Sequence, residues 1–140
     1  MSDAGNQPGT ATNLQAARRL YDAFERHDGR MLLTALTEDF QGVVCDGMPA
    51  GLGGVYSGSE TMLRECWRRV FELVDVRPAP AEYLPVADDR MIVLGRYEGM
   101  ARATGRSLSA AFAHLLRFTD GRISEIVQIT DTGRWRDALT

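Results

Sequence analysis

A histidine in the middle of an apolar stripe is the residue of this 140-residue chain best suited to moving protons. From Leu108 to Phe118 the even positions read Leu, Ala, Phe, His, Leu, Phe, the alternation of a strand with one buried face. An imidazole in that setting, His114, can serve as a base near neutrality or donate to a developing enolate oxygen. The return segment 122–131 alternates too, with Ser124, Ile126, Gln128 and Thr130 on one side and Ile123, Glu125, Val127, Ile129 and Asp131 on the other. The turn decides which side joins His114. A three-residue Thr119-Asp120-Gly121 loop, with Gly121 as a bulge, pairs Phe118 with Arg122 and brings Gln128 and Thr130 to the face of His114. A two-residue Asp-Gly turn would bring Glu125 and Asp131 there instead. The first register sends Arg117, Glu125 and Asp131 to the opposite face and leaves no charge unpaired in the interior. It is the register expected here, and it lets His114 and Gln128 look into one apolar space.

Other residues compete for roles around that space. Asp46, at the end of a short strand and before a glycine-rich stretch, is a candidate base, although most carboxylates in such places are solvated turn residues. Arg96 and Glu98 share one face of a strand and Tyr97 the other; desolvation favours Tyr97 inward and the charged pair outward. Phe24, Trp67 and Phe112 are expected as core aromatics that also line the cavity. Asp131 is expected as a structural residue near a strand end, accepting hydrogen bonds from the backbone or Thr132.

Composition removes several chemistries. All 16 basic residues are arginine, so a lysine Schiff base and lysine-bound pyridoxal phosphate are excluded. The arginines are scattered and the net charge is −3, which disfavours nucleic acid as a partner. Cys45, Cys66 and the two histidines fit no metal spacing, so neither a metal nor a cofactor is expected. No apolar run approaches membrane-spanning length and no signal pattern opens the chain, so a cytoplasmic protein with buried free thiols is expected. Gly51-Leu52-Gly53-Gly54 fails the dinucleotide fingerprint because Tyr56 stands where the third glycine belongs.

The elements that must position these residues follow from periodicity. Residues 1–11 read as a loose tail and 12–140 as one domain. Thr12 and Gln15 form a capping box for a helix with Leu14, Ala17, Leu20 or Tyr21, and Phe24 inward, ending near His27-Asp28-Gly29. Asp28 caps a short second helix carrying Leu32, Leu33 and Leu36. Residues 41–46 form a brief strand, and the glycine-rich loop 47–58 is long enough to serve as a lid or entrance. Ser57 and Glu60 box a third helix with Met62, Cys66 or Trp67, Val70, and Leu73 or Val74 inward. Four strands follow near 78–87, 90–102, 107–119 and 122–131, turning at Asp88-Asp89, Thr104-Gly105 and Asp120-Gly121. Three helices and then a meander imply an α+β domain with helices on one face of a curved antiparallel sheet.

That order of elements, with Tyr21-Asp22-Ala23-Phe24 … Asp28, Tyr56-Ser57-Gly58, Gly95-Arg96-Tyr97-Glu98-Gly99, Phe118-Thr119-Asp120-Gly121-Arg122-Ile123 and Gln128-Ile129-Thr130-Asp131-Thr132, resembles the SnoaL-like, ketosteroid isomerase-related proteins of the nuclear transport factor 2-like superfamily. The resemblance spans roughly Asn13 to Leu139. It implies a cystatin-like, cone-shaped sheet with three N-terminal helices enclosing an apolar pocket, and a dimer through the outer sheet face. By this similarity His114 takes the place of the isomerases' protonated aspartic acid. Their tyrosine falls on Leu20, beside Tyr21, and their base near Val44, with Asp46 two residues on. The essential last-strand aspartate of SnoaL-type cyclases and limonene epoxide hydrolases is replaced by Gln128, an amide without useful basicity. The chain thus departs from all three chemistries where each most needs a carboxylate.

The expected function is cofactor-independent acid/base chemistry on a small, largely apolar carbonyl compound: isomerisation, cyclisation or dehydration. His114 would handle the proton or stabilise an oxyanion, Gln128 orient the substrate and Asp46 act as base, with Leu20, Tyr21, Phe24, Trp67, Tyr97, Phe112 and Thr130 binding substrate. A non-catalytic pocket for a small hydrophobic ligand is the alternative, and epoxide hydrolysis a second one. Leu115, Ile123, Val127 and Ile129 on the outer face are expected to seat a second copy of the chain.

Overall fold

The structure, a computed structural model, describes residues 8–140. Helix α1 (Pro8–Glu25) is already formed at Pro8, so residues 8–11 belong to it rather than to a tail, and the Thr12–Gln15 pair lies inside the helix. Docking explains the early start. Thr10 and Asn13 are buried, and Asn13 Nδ2 donates to the Asp88 carbonyl at 3.0 Å. The remainder of the expected tail, 1–7, lies outside the described residues. Helix α2 (Gly29–Ala35) is capped as expected, with Asp28 Oδ1 accepting from the Met31 amide at 3.0 Å.

Strand β1 (Leu36–Val44) begins earlier than expected because Leu36 and Phe40 are core residues. The loop expected over 47–58 is shorter: β2 (Gly54–Ser57) pairs antiparallel with β1. Ser57 therefore ends a strand and cannot cap the next helix. Gly58, at φ +97°, takes the capping position without a side-chain bond. One helical run follows in three parts: α3 (Ser59–Thr61), a π-helical turn (Met62–Trp67) and α4 (Arg68–Leu73). Strands β3 (Val74–Ala87), β4 (Arg90–Ala101), β5 (Ser107–Thr119) and β6 (Arg122–Thr130) form the meander. A last helix, α5 (Thr132–Leu139), was not anticipated. Asp131 caps it, accepting from the Arg134 amide at 3.3 Å.

The six strands make one sheet in the order β2-β1-β6-β5-β4-β3. β1 runs parallel to β6, a departure from the all-antiparallel expectation, and every other pairing is antiparallel. The sheet curves where β3 rides close over β4. A Cβ at Gly95 or Gly99 would strike the Ala79 or Asp75 carbonyl, so only glycine admits this approach.

The β5–β6 hairpin brings Gln128 and Thr130 to the expected face, but through a different turn and with the strand pairing shifted by two residues. Thr119 pairs with Arg122 across a two-residue turn in which Asp120 and Gly121 have φ +50° and +77°, as the Asp-Gly I′ turn requires. One step further in, Phe118 pairs with Ile123 and Arg117 with Glu125. Ser124 is thus the extra residue, and the bulge sits in β6 rather than in the turn. The extra residue turns Ile123 inward, fully buried, instead of outward as expected. His114 pairs with Gln128, where the expected Phe118–Arg122 pairing would set it against Ile126. All even positions of β5 from Leu108 to Phe118 are buried beneath the helices.

Candidate functional site

His114 sits at the centre of a buried hydrogen-bonded chain. Its Nδ1 lies 2.7 Å from Tyr21 Oη, delivered by α1, and its Nε2 lies 2.7 Å from Tyr97 Oη, delivered by the inner face of β4. Tyr97 Oη accepts from Gln128 Nε2 at 3.0 Å. Gln128 Oε1 in turn accepts from the Cys45 amide and thiol at 3.4 and 3.5 Å. Phe112 stacks on the imidazole with centroids 4.0 Å apart and planes 13° apart, which fixes the ring's orientation.

Burial sets the protonation state of this chain. Desolvation lowers the His114 pKa to about 3, so the imidazole is neutral at physiological pH. Burial likewise raises the hydroxyl pKa of Tyr21, with the neighbouring Tyr97 and Tyr83 adding to it. The Tyr97 hydroxyl is raised by burial, against a smaller opposing effect of the Gln128 bond. The site therefore holds protonated tyrosines around a neutral imidazole, an arrangement of hydrogen-bond donors rather than of bases.

A cavity of about 60 Å³ opens against this chain, lined by Tyr97, His114 and Gln128 on the sheet side and by apolar residues elsewhere. Leu20 and Phe24 come from α1, Trp67 from the π turn, Phe71 from α4 and Trp135 from α5. No aspartate or glutamate lines it among the described residues. The volume is less than half of the ~150 Å³ apolar cavity that holds a benzene ring. Met48 and Met62, flexible thioethers in the wall, are the side chains best able to move aside for a larger ligand.

Of the expected site residues, His114, Gln128, Leu20, Phe24, Trp67 and Tyr97 meet at this cavity. Tyr97 points inward while Arg96 and Glu98 pair outside at 3.6 Å. Four others fall elsewhere. Asp46 is exposed, past the end of β1, and does not line the cavity, so the expected base has no access to it. Tyr21 and Phe112 lie behind His114 as hydrogen-bond and stacking partners rather than on the wall. Thr130 Oγ1 is engaged structurally, donating to the Ala111 carbonyl at 2.7 Å and accepting from Trp135 Nε1 at 3.3 Å.

Two wall contributions escaped sequence reasoning. Trp135 is fully buried on α5, and the spacing of Asp131, Trp135 and Ala138 is the helical signal that would have found it. The choice between Cys66 and Trp67 dissolves as well, because both line the cavity. The Arg68 amide bonds to the Leu63 carbonyl, five residues back, and in this wider turn positions i+4 and i+5 from Met62 flank the same face. The Cys66 thiol is pushed up to about 12 by burial, partly offset by a hydrogen bond with Tyr56 and by Arg69, so it is not a thiolate nucleophile. Cys45 is half-buried and neither cysteine is bridged. Among the described residues no helix is long and apolar enough to cross a membrane.

Comparison with known proteins places this geometry. The sequence pattern of the SnoaL-like domain matches residues 17–126. A nuclear transport factor 2-like protein of unknown function from Burkholderia pseudomallei is 34% identical, with TM-score 0.84 over 92% of this chain and 98% of that one. TerC, solved with polyporic acid, is 26% identical, with TM-score 0.83 over 91% and 98% of the two chains. A putative SnoaL-like polyketide cyclase from Jannaschia shares the fold at 16% identity, with TM-score 0.82 over 99% and 97%. No protein with a curated description matches. The chain is a member of the SnoaL-like domain family, with the nuclear transport factor 2-like fold.

Proposed function

We propose that the chain is a cofactor-independent enzyme acting on a small, largely apolar carbonyl compound, with Tyr97 rather than His114 at the substrate oxygen. One observation carries this reading: the Tyr97 hydroxyl stands in the wall of an otherwise apolar cavity, bonded to a neutral imidazole and accepting from an amide. A tyrosine so placed can donate to a carbonyl oxygen and stabilise the negative charge that grows there as solvent water or hydroxide takes the proton from the neighbouring carbon. Isomerisation, cyclisation and dehydration share that step, and no carboxylate lines the cavity for it among the described residues. His114, neutral and held at both nitrogens, supports Tyr97 instead of taking a proton from carbon. Gln128 fixes Tyr97 from the other side. Epoxide hydrolysis falls away, because Gln128 cannot deprotonate water and no carboxylate lines the cavity among the described residues. The ligand reported for TerC supports a ligand-holding cavity in this chain.

Deuterium exchange at the carbon next to the carbonyl of small cyclic ketones, followed by NMR in D2O, tests the proposal. Catalysed exchange that falls about 10²-fold in Tyr97→Phe is the expected result. The absence of a lining carboxylate favours a second reading, a pocket that binds without turnover. Saturable binding with no exchange would select it.

We also propose a cytoplasmic protein, to which its free thiols are suited, and a second copy seated on the outer face. Leu115 and Ile129 are 40% and 54% exposed there, beside the Arg117–Glu125 pair. Sedimentation at micromolar concentration should give a dimer that Ile129→Asp dissociates; a monomer in the unmodified chain would reject it.

A further inference from the structure

The donors and acceptors around His114 can be assigned from one fixed point. The Cys45 amide can only donate, and it faces Gln128 Oε1, as does the Cys45 thiol. This orients the Gln128 carboxamide with oxygen toward Cys45 and nitrogen toward Tyr97. Tyr97 Oη is therefore an acceptor from Gln128. A neutral imidazole offers one donor and one acceptor, which leaves two arrangements.

In the first, Tyr97 donates to Nε2, and Nδ1–H donates to Tyr21. The Tyr21 hydrogen then has no acceptor: among the described residues its only hydrogen-bond partner is His114, and it does not line the cavity. In the second, Tyr21 donates to Nδ1, and Nε2–H and Gln128 both donate to Tyr97. The Tyr97 hydrogen is then free to point into the cavity that Tyr97 lines, where a ligand can accept it. Burying a donor in apolar packing costs more than presenting it to a ligand site, so the second arrangement holds.

We infer that Tyr21 is a positioning residue: it fixes the Nε2–H form of His114 and thereby turns the Tyr97 hydroxyl hydrogen into the cavity, making the site selective for ligands that present an acceptor oxygen, such as a ketone. The hydrogen bonds run in one sense from Tyr21 to the ligand, so each strengthens the next. The ligand preference rests on the proposed function; the imidazole form does not.

Ring nitrogens of 15N-labelled histidine report the form directly, and exposed His27 supplies a separate reference signal. The expected spectrum shows His114 protonated at Nε2 alone. Tyr21→Phe, which keeps the ring stacked on Phe112, should give a mixture of the two forms. Nδ1 protonation in the unmodified protein, or an unchanged His114 spectrum in folded Tyr21→Phe, would overturn the inference. A second arm titrates cyclohexanone against its isostere methylenecyclohexane. The ketone should bind about tenfold more tightly, a preference lost in Tyr97→Phe and reduced several-fold in Tyr21→Phe. Equal binding of the two compounds would overturn the selectivity. Should neither compound bind, the selectivity falls with the proposed function, while the ring spectrum still decides the assignment of Tyr21.

Discussion

The two faces of β4 and β5 carry polar clusters of opposite character. Outside, Ser109 accepts from Arg96 and donates to Glu98, Arg96 pairs with Glu98 at 3.6 Å, and Arg117 faces Glu125 at 3.7 Å. These charged side chains are one-third to one-half exposed. Inside, Tyr97, His114 and Gln128 carry no charge, and Tyr97 and His114 are buried. Water can replace any partner lost on the outer face. On the inner face the Tyr21 hydroxyl and both ring nitrogens each depend on one specific neighbour, and the Tyr97 hydroxyl on two. The strength of a polar cluster thus follows from its dryness rather than from its charge.

Removing the imidazole should break that comparison most severely. His114→Leu strips Tyr21 and Tyr97 of their common partner in a dry site, and a loss of about 4 kcal/mol is expected in urea denaturation. Acid attacks the same point. The unfolded chain protonates the histidine near its ordinary value of 6.5, whereas the folded chain holds it to about 3. The unfolded state therefore binds the proton first, and His114 contributes a loss of about 1.4 kcal/mol per pH unit as pH falls through that window. Comparing urea midpoints of the unmodified protein and His114→Gln between pH 7 and 4 isolates this slope, which should be absent in the variant. Tyr97→Phe is milder, because Gln128 retains its contact with Cys45; a loss of about 1–2 kcal/mol is expected by the same measurement. On the outer face, Arg96→Ala should change stability by less than about 0.5 kcal/mol. A larger effect there would erase the distinction between the faces.

Much of this contrast could be read from the chain alone, for a physical reason. Alternation along β5 reports burial directly, so the inward set from Leu108 to Phe118 was legible, and so was Tyr97 inward against Arg96 and Glu98. Desolvation of charge identifies the face that Gln128 shares with His114, although neither the turn nor the residue pairing is the expected one, because burial constrains the middle of a hairpin more strongly than turn chemistry does. The partners of His114 were less accessible. Tyr21 lies 93 residues away and meets it only through the docking of α1 on the sheet. Asp46 failed because its position two residues beyond Val44 says nothing about where the chain turns after β1. The parallel pairing of β1 with β6 also depends on packing that no local pattern encodes.

The widened helical turn over Met62–Trp67 bears on how this domain can diversify. It acts as a one-residue insertion within a continuous helix. Deleting one residue there would restore ordinary helical winding with the flanking parts still in phase, because the wide turn takes up its extra residue locally. Val70 and Phe71 would then keep their side toward the ligand space, a single side chain would replace the Cys66–Trp67 pair on the wall, and the sheet, with Tyr97 and His114, would stay as it is. Recognition could change by indels in one wall and leave the polar wall opposite untouched.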